Sequence, residues 1–285
     1  MPGMGIYAPE PILKVDTGPS RLLWKDCPWN DIDVSLRGTK LWDNFDHFQQ
    51  AGTSATDGGL WRQFFDTSCT IAQSVDKELG EVALTTTATD NDDCIMQSGT
   101  GNVVFRDPQQ GSQYSIWFES RFKISQVTSG SVFVGLMDGG SNAGAGVITT
   151  GDVIADKNCI GFAVLAANPT LLIFTYKKLG ATVQVPIASL ASTAMAADTY
   201  VSAGFHFLQS NPASRRITVF RNNVRQSTGV PYSSIYTSGA PVATFPMLSS
   251  ASAVDSMAPT IGVTTSTTAV KVLTVDWIKS AMLEN

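Results

Sequence analysis

The sequence predicts an all-β protein: a two-sheet antiparallel sandwich with an extended N-terminal arm. Three observations predict it. About a dozen short stretches alternate apolar and polar residues or are rich in β-branched and aromatic ones, and clusters of Gly, Asn, Ser and Asp separate them. Helical periodicity is nearly absent, with "SLASTAMAA" the one persuasive short helical piece. No repeat of fixed period is visible, which excludes a propeller or solenoid.

Residues 1–42 differ from the rest of the chain. Pro2, Pro9, Pro11, Pro19 and Pro28 interrupt regular structure, while Ile6, Tyr7, Leu22, Leu23, Trp24 and Trp29 supply bulky anchors. A stretch of this kind is poor at building its own core and too apolar for a solvated linker. It reads as an arm that packs either on a partner or around its own domain, and its removal is expected to leave the sandwich folded. The domain then occupies 43–285.

From "LWDNFDHF" onward the punctuation is that of a β protein. "EVALTTTAT" places Val82, Leu84 and Thr86 on one face, and "CIMQS" follows the acidic turn "DNDD". The strand at 114–124 carries Phe118, Phe122 and Ile124 on one face and Trp117, Glu119, Arg121 and Lys123 on the other. "SVFVGLM" comes next, and the run from Gly139 to Gly151 reads as a long loop. Further strands read out at "CIGFAVLA", "TLLIFTYK", "TVQV", "YVSAGFHFL", "RRITVF", "NVRQST", "TIGVTT" and "VKVLTVDWIKSA". "RNNVR" signals a tight hairpin, because Asn222 and Asn223 tolerate positive φ.

Composition narrows the function classes. Of the 285 residues 43% are hydrophobic and only 15% charged, a thin charge coat that points to a surface meeting other protein. Residues 1–176 carry a net charge of −9 and residues 177–285 one of +4, an asymmetry that could guide head-to-tail association or be blurred by folding. Basic runs interleaved with aromatics are lacking, so nucleic acid is not an expected partner. The chain has no long apolar segment and no secretory pattern at its start, which gives the expectation of a soluble protein made in the cytoplasm. Cys27, Cys69, Cys94 and Cys159 are scattered without metal-ligand spacing and read as free, mostly buried thiols, with two disulfides as the minority reading.

Catalytic patterns are not legible. The G-x-S-x-G, H-E-x-x-H and phosphate-loop motifs are missing, and the two histidines, His47 and His206, lie on separate elements. Glu119 has Arg121 and Lys123 on its face, and a carboxylate flanked by cations is held ionised, the opposite of what a general acid needs. It therefore reads as a solvent-face or interface ion pair. Asp276 in the last strand reads as a structural hydrogen-bonding group. The acidic turns "DNDD" and "DGGSN" lack the closing glutamate of a calcium loop, so the expectation is no cofactor, with a structural calcium ion as the minor reading. Trp117, Tyr176, Tyr200 and His206 could together line a sugar-stacking or subunit surface, with packing the favoured role.

The succession "WFESRFKIS", "GSVFVGLMDGG", "IGFAV", "LLIFTYKK", "DTYVSAGFHF", "RRITVFRNNV" and "LTVDWIKSA" resembles the concanavalin A-like or LamG-like jelly-roll domains of tailed-bacteriophage structural proteins. The likeness covers about residues 43–283 and not the arm. It implies a concanavalin A-like jelly roll acting as a virion structural protein, above all a capsid decoration or cement protein. Its implied partners are the major capsid protein and copies of itself, in a homotrimer, with host polysaccharide as a further partner and no membrane. The same fold hosts lectins and glucanases, so a carbohydrate-binding module and a tail or fibre component stand as alternatives. The glucanase pattern E-x-D-x-x-E is replaced here by E-S-R-F-K at Glu119, so the resemblance implies no enzyme.

Overall fold

A computed structural model describes residues 18–29, 38–46, 48, 57–58, 60–65, 69–74, 80–98, 105–106, 114–128, 130–138, 147–149, 153–155, 157–177, 194–208, 216–226, 230–231 and 256–284. One short helix, α1 (Arg21–Trp24), precedes β1 (Gly38–Asp43), β2 (Asp57–Gly58), β3 (Trp61–Phe65), β4 (Thr70–Gln73), β5 (Val82–Thr85) and β6 (Asp93–Ser98). Next come β7 (Phe105–Arg106), β8 (Tyr114–Ile124), β9 (Gly130–Asp138), β10 (Ile148–Thr149), β11 (Val153–Ile154), β12 (Cys159–Leu165) and β13 (Asn168–Lys177). The chain finishes with β14 (Val201–Leu208), β15 (Arg216–Arg221), β16 (Val224–Arg225), β17 (Val230–Pro231), β18 (Ser256–Thr265) and β19 (Val272–Glu284).

Two antiparallel sheets stack face to face. The nine-stranded sheet runs β16-β15-β14-β8-β19-β5-β4, with β1 also paired to β19 and β17 to β15. The eight-stranded sheet runs β13-β12-β9-β18-β6-β3-β2, with β7 paired to β18. Between them lies one core. Ile116, Phe118, Phe122, Ile124, Phe205 and Val275 come from the first sheet and Val134, Leu136, Phe162, Phe174, Ile261 and Val263 from the second. Alternation along each strand is what delivers these residues to one face. Phe118, Phe162, Phe174 and Phe205 pack ring on ring, with centroid separations of 5.4 to 6.3 Å.

The expected strands at 114–124 and in "SVFVGLM", "CIGFAVLA", "TLLIFTYK", "YVSAGFHFL", "RRITVF", "TIGVTT" and "VKVLTVDWIKSA" are present as β8, β9, β12, β13, β14, β15, β18 and β19. Asn222 and Asn223, at φ of 47° and 63°, turn β15 into β16 as their dipeptide predicts. The stretch "TVQV" lies outside the described residues.

Two expectations need correction. Inside the expected loop 139–151, Ile148 and Thr149 form a strand paired with Val153 and Ile154. Val147, Ile148 and Ile154 bury on the outer face of the eight-stranded sheet against Phe64, Phe133 and Met137, so apolar cover there outweighs loop composition. The end of the expected helix is irregular at Ala194–Ala196, with Met195 N donating to Thr170 O at 2.7 Å; residues 189–193 lie outside the described residues.

Both outer faces of the sandwich are thus partly covered by the chain itself. Residues 18–29 cover the other one. The expected division at 42/43 falls inside β1, whose six residues pair with Ile278–Leu283 of the final strand, so residues 38–42 belong to the sandwich.

Candidate functional site

The outer face of the nine-stranded sheet holds most of the residues singled out in the sequence. On β8, alternation turns Trp117, Glu119 and Arg121 outward. Their partners on β14 are His206, Gly204 and Ser202, and on β19 they are Ala281, Lys279 and Trp277. On β1, Lys40 pairs with Ala281 and Trp42 with Lys279.

Over this face lies a strap, residues 18–29. Ser20 caps α1, its Oγ accepting from Leu23 N at 3.4 Å. The backbone N–H of Ser20 donates to the Glu119 carboxylate, 2.9 Å from Oε2 and 3.2 Å from Oε1, and Trp24 Nε1 donates to Oε2 at 2.7 Å. Leu23, buried, packs with Trp117, Phe220 and Ala281. It enters a notch that only glycine leaves open: a Cβ on Gly204 would stand 2.6 Å from Leu23 Cδ2 and 2.7 Å from the Phe118 carbonyl oxygen. Below the strap, the Lys279 ammonium sits 4.2 Å from the Trp24 ring centre and 4.4 Å from that of Trp29, which meet edge to face at 5.5 Å. Lys40 Nζ donates to the Trp29 carbonyl at 3.1 Å and closes the far end of the strap.

Burial sets the electrostatics. Glu119 is 1% exposed, and desolvation pushes its carboxyl up to about 7 despite the hydrogen bonds from Ser20 and Trp24 and the nearby Lys279 charge. Burial pushes Lys279 down, opposed by Cys27 and Glu119, and pushes the half-buried Cys27 thiol up to about 11. His206 falls to about 4 for the same reason, with Asp26 pulling the other way. The expectation of a Glu119 held ionised by Arg121 and Lys123 is therefore corrected. Arg121 pairs with Asp276 at the bulge between Val275 and Trp277, and Arg121 and Lys123 lie 4.0 and 4.7 Å from the Tyr200 ring centre. Glu119 does serve structure, but from beneath a cover and not on a solvent face.

Trp117 and His206 stack at 4.7 Å with their planes 10° apart, under the strap. Trp117 is 3% exposed, and its Nε1 and His206 Nε2 are buried without a hydrogen-bond partner. Tyr200 does not join them; its hydroxyl donates to Glu81. Tyr176 lies on β13 of the other sheet, with its side chain outside the described residues. Of the arm anchors, Leu23, Trp24 and Trp29 seat the strap, Leu22 is 56% exposed, and Ile6 and Tyr7 lie outside the described residues. His47 lies outside them too.

Four contributors were missed in the sequence: Ser20, Gly204, Lys279 and Trp42. Trp42 is 44% exposed and stacks on Trp277 at 5.7 Å. For Gly204, Lys279 and Trp42 the signal is cross-strand register, which single-strand alternation does not contain, while Ser20 precedes α1 and reaches Glu119 through the strap.

Among the described residues no group of three or more His, Cys, Asp or Glu side chains could hold a metal. In the "DNDD" turn, Asp93 accepts from Thr264 Oγ1, and Asp138 of "DGGSN" accepts from Asn158 N and Nδ2 at 3.0 and 3.1 Å. The four cysteines are free thiols, three of them buried.

No family model and no curated protein matches this sequence. Solved structures do share its fold. A protein of unknown function from Shewanella oneidensis MR-1 matches with a TM-score of 0.50 and 10% identity over 90% of this chain and 94% of that one. Peanut lectin, in complex with a nine-residue peptide, matches with a TM-score of 0.50 and 10% identity over 87% of this chain and 99% of that one. The Emp47p carbohydrate recognition domain follows at 0.46 and 9%, over 87% and 95%. At such identities the likeness is one of fold, and the fold is a concanavalin A-like jelly roll.

Proposed function

We propose that this jelly roll is a virion structural protein, a decoration or cement protein of a tailed-phage head, acting by surface burial and not by catalysis. The observation that carries the reading is the cover on the outer face. Part of the broad sheet surface on which the fold could hold a ligand is occupied by the chain's own residues 18–29, while Leu22, Trp42, Val224 and Val270 point outward at 44 to 60% exposure. Each such side chain gains about 1.5–3 kcal/mol when fully buried, so contacts repeated over a lattice add up to a firm clamp. The partners on this reading are the major capsid protein and further copies of the chain, in a trimer.

Quantitative mass spectrometry of purified particles tests it. A copy number equal to that of the coat protein, or a simple fraction of it, is expected. A handful of copies would move the protein to a tail or fibre, and absence from particles would end the reading.

A carbohydrate-binding role is the second reading, and one observation favours it. Trp42, stacked on Trp277 and open to solvent, offers the kind of flat aromatic face on which a sugar ring stacks. The Trp117–His206 pair, with Trp117 buried and His206 half-buried, does not offer one while the strap is seated. Titration calorimetry against a glycan panel is expected, on this reading, to give binding that Trp42→Ala weakens at least tenfold. A flat response from the unaltered protein would dismiss it.

A further inference from the structure

We propose that residues 18–29 form a releasable strap on the nine-stranded sheet, its hold weakened by the ionisation of Glu119, so that release uncovers the Trp117–His206 stack. The strap is attached as a separable unit. Its contacts with the sheet fall at four points: Leu23 in the Gly204 notch, Ser20 and Trp24 on Glu119, Trp24 with Trp29 over Lys279, and the Trp29 carbonyl on Lys40 Nζ. Only the first is purely apolar. The others engage the buried Glu119 carboxylate, the half-buried Lys279 ammonium and the Lys40 ammonium.

What the strap covers is not finished as a protein interior. Trp117 Nε1 and His206 Nε2 are buried without partners, although a buried polar nitrogen ordinarily finds one. Leaving such groups unpaired costs free energy in the closed state and is relieved when the strap lifts.

The direction of the pH effect follows from Glu119. With the strap seated the carboxyl titrates at about 7, and with the strap away it returns toward 4.5. The seated state therefore holds the proton more tightly. The contribution of Glu119 to closure is full below pH 4.5 and is lost as the pH rises through 7. A displacement from 4.5 to about 7 corresponds to a change of about 300-fold in the opening equilibrium at its limit.

The other charged groups around Glu119 do not reproduce this effect. Lys279, opposite it on β19, acts in the reverse sense, because burial favours its neutral amine and so strengthens closure as pH rises. Cys27 on the strap stays a neutral thiol up to about pH 11. His206 on β14, facing Asp26, also acts in the reverse sense: covered it is neutral above about pH 4, and uncovered it returns toward 6.5, so it strengthens closure as the pH rises through that window and offsets Glu119 in the native protein. Arg121 on β8 is engaged by Asp276, and Lys40 on β1 holds the Trp29 carbonyl.

Hydrogen exchange of the full chain, read by mass spectrometry at pH 5.5, 6.5, 7.5 and 8.5, tests the strap. The peptide spanning 18–29 is compared between the native protein and Glu119→Gln, a neutral isostere of the protonated acid. Dividing the two rates removes the intrinsic base catalysis of exchange. The ratio is expected to rise at least tenfold between pH 5.5 and pH 8.5, with the ratio for β9 unchanged throughout. A flat ratio for 18–29, or an equal rise in β9, would overturn the proposal. Should Glu119→Gln not fold, Glu119→Asp draws the carboxylate back from Ser20 N. It is expected to speed strap exchange at least tenfold without affecting β9, and unchanged strap exchange would again overturn it.

Discussion

Deleting residues 1–43 is expected to leave a chain that no longer folds as a monomeric sandwich, while deleting 1–29 leaves a folded but less stable one. The shorter deletion removes Leu23, Trp24 and Trp29 from the outer face and uncovers Trp117 and Phe220. The longer one also removes β1. That exposes the edge of β19 from Ile278 to Leu283 and takes Leu41, 4% exposed, out of the core. Two buried leucines at about 1.5–3 kcal/mol each, with the lost ladder and aromatic cover, bring the deficit to roughly 5 kcal/mol or more, against a total stability of about 5–15 kcal/mol. An exposed β19 edge would further invite pairing between chains. Circular dichroism melting and size-exclusion chromatography check the pair. A 1–43 deletion that melts cooperatively within about 2 °C of the full chain would show that the strap and β1 are an appendage, as the sequence alone suggests.

That contrast marks how far the sequence could be read. The long strands were legible because they bury one face, so β8, β14 and β19 show apolar and polar residues in alternation. The strand β1, "GTKLWD", was not, because it is short and its outward residues include a tryptophan beside a lysine. The polar-looking face of β8 misled for a related reason. Glu119 reads as a solvent-face or interface ion pair with Arg121 and Lys123, yet residues 18–29, about a hundred positions earlier, cover Trp117 and Glu119. Composition along one strand cannot distinguish a face open to water from one sealed by a polar contact with another segment. Likewise the pairing of Glu119 with Lys279 is a property of register across 160 residues, fixed only once the core faces of both strands are aligned. The Trp117–His206 stack was within reach, since both residues were placed on outward faces, but their adjacency again depends on the β8–β14 register.

A large effect of a single substitution is expected at Gly161→Val. Gly161 on β12 pairs with Gly135 on β9, on the outer face of the eight-stranded sheet, where the Phe133 ring closes over both. A Cβ on Gly161 would stand 2.6 Å from Gly135 Cα, 2.6 Å from the Val134 carbonyl oxygen and 3.1 Å from Phe133 Cζ. Two of these three neighbours are backbone of a central strand, which cannot move aside without breaking its ladder. Strand propensity predicts the reverse, since valine is favoured over glycine in strands by up to about 1 kcal/mol. The clash should win, because overpacking of this kind costs about 1–3 kcal/mol and more where the obstruction is main chain. A net loss of about 3 kcal/mol lowers the Tm by on the order of 10 °C in a domain of this size. Gly18→Ala is the internal comparison, as its Cβ would meet nothing within 4 Å and its melting should be unchanged. Thermal melts of the two variants decide between space and propensity: a Gly161→Val protein as stable as the native one would mean that β9 and β12 are not held as close together as this paired-glycine geometry requires.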